Sequence, residues 1–174
     1  MNRGLVGCGV IVAIAMLLIA TWAGSYSRLV KLREGIDSAW SEVDGAYQRR
    51  ADLLSTLMET AKCAEQLERD AWAQWVEAQA AVERISFESA PDSEQLAQFE
   101  AAQSRLSSAL SRVVAAAGPY PELEAAENEI ALAQQRFNDA TLVYNKTRRR
   151  FPTILLANVA GFGSKPYLDG TPAL

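Results

Sequence analysis

The chain has 174 residues, of which 49% are hydrophobic, and a formal net charge of −4. This length and apolar content fit one domain with a real core and exclude a disordered chain. The acidic balance argues against nucleic acid as a partner, and the lack of histidine removes the commonest general base and zinc ligand. The two cysteines, Cys8 and Cys63, have no metal-type spacing, so we expect neither a disulfide framework nor a metal or other cofactor.

An uncharged stretch occupies residues 4–27, and its apolar core, LVGCGVIVAIAMLLIATW, begins at Leu5. About 20 apolar residues suffice to cross a bilayer as a helix. We therefore predict an N-terminal transmembrane anchor over residues 1–26, with Trp22 and Tyr26 at the membrane interface. A cleaved signal peptide is the alternative, because Thr21-Trp22-Ala23 resembles a small-x-small cleavage site. The apolar run exceeds the usual length for such peptides, and Trp22 breaks the motif.

Basic residues flank this run unequally. Arg3 precedes it, whereas Arg28, Lys31 and Arg33 follow it, so the positive-inside rule predicts a single-pass protein whose body is cytoplasmic. Two small-xxx-small pairs within the run would let two such helices approach closely. A homo-oligomer is therefore one expectation, beside contact with membrane lipid.

The body, residues 27–151, is rich in Ala, Glu, Gln, Leu and Arg and has no proline before Pro91, so we predict helix throughout. We predict a break near Arg50 and a second helix with Asp52 as its N-cap, although one continuous helix remains the alternative. The first helix has an apolar stripe with three- and four-residue spacing: Leu29, Leu32, Ile36, Trp40, Val43 and Tyr47.

Two further helices follow a turn at residues 89–92 and are separated by Gly118-Pro119-Tyr120-Pro121. Their stripes alternate three- and four-residue spacing, which predicts an antiparallel bundle with coiled-coil-like packing. The third helix's stripe contains Leu96, Phe99, Gln103, Leu106, Leu110, Val113 and Ala117. The fourth contains Leu123, Ala126, Ile130, Ala133, Phe137, Ala140, Tyr144, Thr147 and Phe151.

Asp37 and Asp44 stand seven residues apart on the first helix, a spacing that an acid/base pair can use. On a helical wheel they lie about 80° to 100° from Ile36, so they flank the apolar stripe. Arg33 lies on the same side. The chain offers these carboxylates no histidine, phosphate loop or nucleophile elbow, and we therefore predict a structural role and no enzymatic activity.

Many of these residues also form an ordered series that resembles the LemA family of small bacterial helical proteins. The series comprises Leu29-Val30-x-Leu32-Arg33, Asp37-x-Ala39-Trp40-Ser41-x-Val43-Asp44, Arg49-Arg50-x-Asp52-Leu53, Leu106-Ser107-x-Ala109-Leu110-Ser111-Arg112, Tyr120-Pro121-x-Leu123, Glu127-Asn128, Tyr144-Asn145, Phe151-Pro152, Gly161-Phe162 and Lys165-Pro166-Tyr167.

The resemblance implies an all-α fold, in which an N-terminal transmembrane helix precedes an antiparallel up-and-down four-helix bundle, and it implies no established catalytic activity. It also implies the bacterial cytoplasmic membrane as the location. The chain departs from the family pattern at Ser55, where relatives usually have proline, and is shorter between Pro121 and Tyr144.

The C-terminal tail, residues 152–174, is apolar, contains glycine and proline, and follows a basic cluster. In an up-and-down bundle the fourth helix returns toward the membrane, where an anionic surface would attract these charges. We predict membrane-surface contact by Arg148, Arg149, Arg150, Phe151, Leu155 and Phe162. The alternative is that the apolar tail residues cap the open end of the bundle while the arginines balance the helix dipole.

Three classes of function remain at this point. The favoured one is a membrane-anchored scaffold that organises itself or an unidentified protein partner. The alternative is a regulatory or signalling adaptor that relays membrane state to one protein partner. An enzyme would need a polar cavity inside the bundle, and the stripes supply little beyond Gln103 and Tyr144.

Overall fold

A computed structural model of the chain describes residues 3–62, 69–117 and 121–169. Within its helices, the side chains of residues 3–15, 17–20, 57–62, 69–72 and 112–117 lie outside the described part. The described residues form helices and no strands, which confirms the all-α prediction. The helices are α1 (Arg3–Lys62), α2 (Arg69–Glu83), α3 (Ser93–Ala117), α4 (Pro121–Arg148) and α5 (Thr153–Val159).

The first helix is a single element of 60 residues, so the predicted break near Arg50 is wrong. Asp52 is not an N-cap, because it lies inside α1 and its carbonyl accepts a hydrogen bond from the Thr56 hydroxyl at 3.1 Å. No proline follows the Asp52-Leu53 pair to remove a helical hydrogen bond. The helix therefore continues to Lys62, and at 1.5 Å per residue it is about 90 Å long.

The predicted membrane anchor belongs to the first part of α1. Over the part of the chain that the structure describes, no helix is both long enough and apolar enough to cross a membrane. The anchor is thus not confirmed, and most of its side chains, including that of Leu5, lie outside the described residues. Trp22 and Tyr26, predicted as its interfacial residues, are described and are each about half exposed.

Local signals set the start of α3 and α4. The Asp92 carboxylate accepts hydrogen bonds from the backbone N–H groups of Glu94 and Gln95, and the Gln95 side chain accepts one from the Asp92 N–H. This reciprocal arrangement is a capping box, which stabilises a helix N-terminus. Helix α4 begins with Pro121, whose missing N–H costs nothing in the first turn, and acidic residues follow it there.

The four long helices run up and down around a shared core. Helix α1 packs along α4, and α2 packs along α3. Contacts between α1 and α4 pair Glu42 with Arg136 and Arg49 with Glu129, so these two helices are antiparallel. The buried Arg50 of α1 also reaches α3, where its guanidinium donates to Gln103. Residues of α1, α3 and α4 thus meet in the interior of the bundle.

The core contains two groups of apolar side chains. In the larger one Trp40 lies edge-on to Phe99 at 5.2 Å and to Phe137 at 5.8 Å, and Tyr47 packs on Phe99 at 5.1 Å between ring centroids. The smaller group lies around Leu54 in α1. Most stripe residues that sequence periodicity selects are buried, but Phe151 is 81% exposed because α4 ends at Arg148.

Candidate functional site

The tail after α5 folds back along the bundle, and we call residues 161–169 the C-terminal strap. It starts where Gly161 takes a left-handed backbone conformation with φ of 72°, which favours glycine. The Phe162 N–H then donates to the Ala157 carbonyl at 2.9 Å, closing the end of α5. The Phe162 ring is buried and packs edge-on against Tyr26 of α1 at 5.6 Å.

Two asparagines of α4 hold the strap by its backbone. The Asn145 side chain donates to the Lys165 carbonyl and accepts from the Lys165 N–H, and Asn138 makes the same pair of bonds with Leu168. Asparagines seven residues apart on a helix are separated by about 10.5 Å, and three extended residues span about 9 to 10 Å. The two spacings match, so both asparagines can bind the strap backbone at the same time, and we call these two pairs of hydrogen bonds the asparagine clamps.

Three more α4 and α3 side chains contact strap backbone groups. The Tyr144 hydroxyl donates to the Gly163 carbonyl at 2.9 Å, and Arg148 donates to the Phe162 carbonyl. Burial raises the pKa of Tyr144, while the charges of Arg148 and Arg33 act in the opposite direction. At the strap's end the Asp169 N–H donates to Glu100. Burial also raises the pKa of Glu100, although this hydrogen bond lowers it.

The strap and Asp37 of α1 both contact the α2–α3 connection at one residue, Ala90. The Lys165 ammonium donates to the Ala90 carbonyl at 3.1 Å, and Asp37 accepts from the Ala90 N–H at 3.0 Å. Burial lowers the pKa of Lys165, and so does the charge of Arg33, whereas Asp37 and Asp92 raise it. Asp37 therefore anchors a loop.

Asp44, the other aspartate of the pair, is bound to Gln48 at 2.7 Å along its own helix. The two carboxylates thus contact different partners, and no described contact joins them. Over the described residues, no group of three or more acidic or cysteine side chains is placed to hold a metal ion.

A buried polar network lies at mid-bundle and was not predicted. The Arg50 guanidinium is only 2% exposed and donates to Glu127 at 2.8 Å, to Gln103 at 3.0 Å and to Ser107 at 3.4 Å. It also lies 5.4 Å from the centroid of the Tyr47 ring. The network contains one carboxylate and joins α1 to α3 and α4.

A sequence signal for Arg50 does exist. The three-four spacing that runs through Val43 and Tyr47 continues to Arg50 and then Leu54, so a continuous helix places Arg50 on the apolar stripe. The assumption of a helix break hid this position. Gln103 is the polar member of the third helix's apolar stripe, and its amide oxygen accepts from Arg50.

The surface around α5 combines exposed apolar and basic side chains. Of the residues predicted to contact a membrane surface, Phe151 and Leu155 are exposed, as are Arg149 and Arg150. The other two point inward in part: Phe162 is buried, and Arg148 is half-buried against the strap. Ile154 and Val159 add further exposed apolar area. We call Phe151, Ile154, Leu155 and Val159 the α5 surface.

These features define a class of protein: a four-helix up-and-down bundle whose first helix is much longer than the others and whose C-terminal strap is clamped by asparagines. The chain belongs to the LemA family, since the LemA family model matches residues 39–173. No curated protein matches the chain. The matched range contains the Arg50 network, both asparagine clamps and the α5 surface.

Proposed function

We propose that this LemA family protein is a single-pass, membrane-anchored helical bundle that scaffolds itself or other proteins at the cytoplasmic face of the bacterial inner membrane, without catalysis. One observation carries the proposal. Helix α1 is uninterrupted from Arg3 to Lys62, so the apolar run that begins it and the core stripe that follows belong to one rigid rod. A bundle joined to an anchor in this way would have a defined orientation relative to the membrane and a defined distance from it.

The α5 surface supports a second attachment. It lies beside residues 21–28 of α1, because Thr21, Gly24, Ser25 and Arg28 line the same cavity as Phe151 and Thr153. Exposed apolar groups with Arg149 and Arg150 nearby are the composition that binds an anionic interface. The strap and α4 clamps hold this surface in place, so we propose that it touches the bilayer at the foot of the bundle.

The anchor is tested by extracting cell membranes at alkaline pH, which releases peripheral proteins and leaves integral ones. We expect the full chain to stay in the pellet. Ile14→Arg with Leu17→Arg should shift it to the supernatant, because each arginine costs about 2.5 to 3.5 kcal/mol at the centre of an inserted helix. Ser38→Arg, at an exposed site of the same helix, is the control. A soluble wild-type chain would contradict the anchor.

The second attachment is tested by spin labels in nanodiscs, on a background with both cysteines replaced by alanine. Leu155 and Leu132 are about equally exposed, at 53% and 49%, but only Leu155 belongs to the α5 surface. A label at Leu155 should be relaxed by oxygen in the lipid and one at Leu132 by a water-soluble nickel complex. Equal nickel accessibility at both sites would rule out bilayer contact by α5.

The scaffold role is tested by photocrosslinking in intact cells from Leu142, which is exposed on α4. A scaffold predicts adducts between copies of this chain or with several proteins. A single heterologous adduct of fixed stoichiometry would contradict it and support the signalling adaptor.

A further inference from the structure

One face of α1 is lined with small and polar side chains where the apolar run of residues 5–22 ends. Thr21, Gly24, Ser25 and Arg28 follow the spacing that puts helical residues on one face. Gly24 has no heavy atom within 4 Å of the place where a Cβ would stand. The helix therefore presents open space with hydroxyl groups beside it and a guanidinium at one end.

The turn between α4 and α5 forms the opposite wall. The Arg150 N–H donates to the Thr147 carbonyl, and the Ile154 N–H donates to the Arg150 carbonyl, which sets the course of this turn. Arg150, Thr147 and Thr153 thereby line a cavity of about 340 Å³ together with the α1 face. We call this cavity the end pocket.

The charges of the end pocket are all of one sign. Arg28 and Arg150 line it, no carboxylate does so among the described residues, and neither arginine forms an ion pair within the described part. Both arginines are exposed, and an anion bound between two such positive charges would relieve their mutual repulsion. The hydroxyl groups of Thr147 and Thr153 line the same cavity and can donate to the remaining oxygens of that anion.

We propose that the end pocket binds a phosphate group, and that an anionic phospholipid headgroup supplies it. Guanidinium forks match phosphate oxygens in geometry and form charge-assisted hydrogen bonds with them. The lipid is favoured as the source because the pocket lies at the end of the apolar run of residues 5–22 and beside the exposed ring of Phe151. The choice of lipid rests on the proposed function, whereas phosphate binding does not.

The test uses the full chain in a neutral maltoside detergent and isothermal titration with three probes: dihexanoyl phosphatidic acid, dihexanoyl phosphatidylcholine and inorganic phosphate. Arg28→Gln with Arg150→Gln removes both pocket charges. Lys31→Gln with Lys146→Gln removes the same net charge from exposed positions that do not line the pocket. We expect phosphatidic acid to bind the wild type and the control pair equally, and the pocket pair at least tenfold more weakly.

A second pair of variants separates filling of the pocket from loss of charge. Gly24→Leu places a side chain in the open space, and Gly35→Leu makes the same change at an exposed α1 glycine that also has nothing within 4 Å. Only Gly24→Leu should weaken binding, again by at least tenfold. Circular dichroism of each variant checks that the helices are retained.

Binding of phosphatidic acid or inorganic phosphate that is lost in both pocket variants supports the site, and the tighter of the two probes identifies the source. Absence of binding, or equal loss in the pocket and control variants, overturns it. A chain that stays with membranes but binds no phosphate contradicts the end pocket alone, and the reverse result contradicts the anchor alone.

Discussion

The buried Arg50–Glu127 pair yields an asymmetric prediction, because its two members are buried to different degrees. The Arg50 side chain is 2% exposed and that of Glu127 is 17% exposed. At about 4 Å and an effective dielectric constant of about 20, the two charges attract by about 4 kcal/mol. Glu127→Ala removes this attraction and leaves the guanidinium buried, so it should cost about 3 to 5 kcal/mol.

The reverse substitution should cost less. Arg50→Met fills much of the same space, and the Glu127 carboxylate that remains can reach water. The Gln103 oxygen loses its partner, which costs about 1 to 3 kcal/mol. Replacing all three, as Arg50→Met, Gln103→Leu and Glu127→Leu, should restore stability to near that of the wild type, since buried ion pairs are often no better than apolar packing.

A neighbouring pair supplies the control. Arg49 and Glu129 occupy the same two helices, but their side chains are 56% and 49% exposed. Glu129→Ala should therefore cost less than about 1 kcal/mol. The assay is thermal unfolding of the full chain in detergent, followed by circular dichroism at 222 nm.

For a chain of this size, 1 kcal/mol shifts the melting temperature by about 3 °C. We expect Glu127→Ala to melt about 10 °C lower and Glu129→Ala less than about 3 °C lower. The loss of stability in Glu127→Ala would not come from a buried, unpaired guanidinium if the two alanine variants lowered the melting temperature equally. The same conclusion would follow if Arg50→Met melted at a lower temperature than Glu127→Ala.

Four further predictions concern the strap and the core. Asn145→Asp keeps the acceptor for the Lys165 N–H but loses the donor to the Lys165 carbonyl, so hydrogen exchange at the Lys165 amide should quicken about fivefold. Asn145→Leu removes both bonds and should quicken this exchange further. Unchanged exchange in Asn145→Leu would contradict the clamp. Burial lowers the pKa of Lys165, so just below pH 10.5 the folded state binds fewer protons than the unfolded state. The free energy of unfolding should therefore rise with pH in this range. Lys165→Met should abolish the rise when unfolding is measured as a function of pH. Burial raises the pKa of Tyr144, so above pH 10 the unfolded state loses this proton before the folded state does. The free energy of unfolding should therefore fall as pH rises past 10, and Tyr144→Phe should lack this fall. Phe99→Ala should cost about 3 to 5 kcal/mol in thermal unfolding because the ring packs on two aromatic neighbours, whereas Val143→Ala at an exposed site should stay within about 0.5 kcal/mol.

Helices α3 and α4 were predictable because their signals are local. Three-four spacing of apolar residues selects one helix face, and Asp92 and Pro121 mark where the helices start. The burial of Leu96, Phe99 and Phe137 follows from that spacing alone. The structural role of Asp37 also followed from its position beside the stripe, although its partner did not.

Other features depend on residues far apart in the chain. The continuity of α1 was missed, because no rule of local propensity distinguishes a capping aspartate from one inside a helix when neither proline nor glycine follows. The role of Arg50 required Gln103 and Glu127 from two other helices. The α5 surface was predicted in part, but the burial of Phe162 depends on Tyr26, which is 136 positions earlier in the sequence.

The amino-acid sequence by itself determined the all-helical class, the helix faces that form the core and membership in the LemA family. These features follow from periodicity and motif order, which depend only on the order of residues along the chain. Only the tertiary structure decided that a buried arginine ties three helices together, that two asparagines hold the strap, and that residues 21–28 meet the α4–α5 turn around one cavity. Each of these joins groups at least 20 residues apart in the chain, and their contacts exist only once the helices have packed.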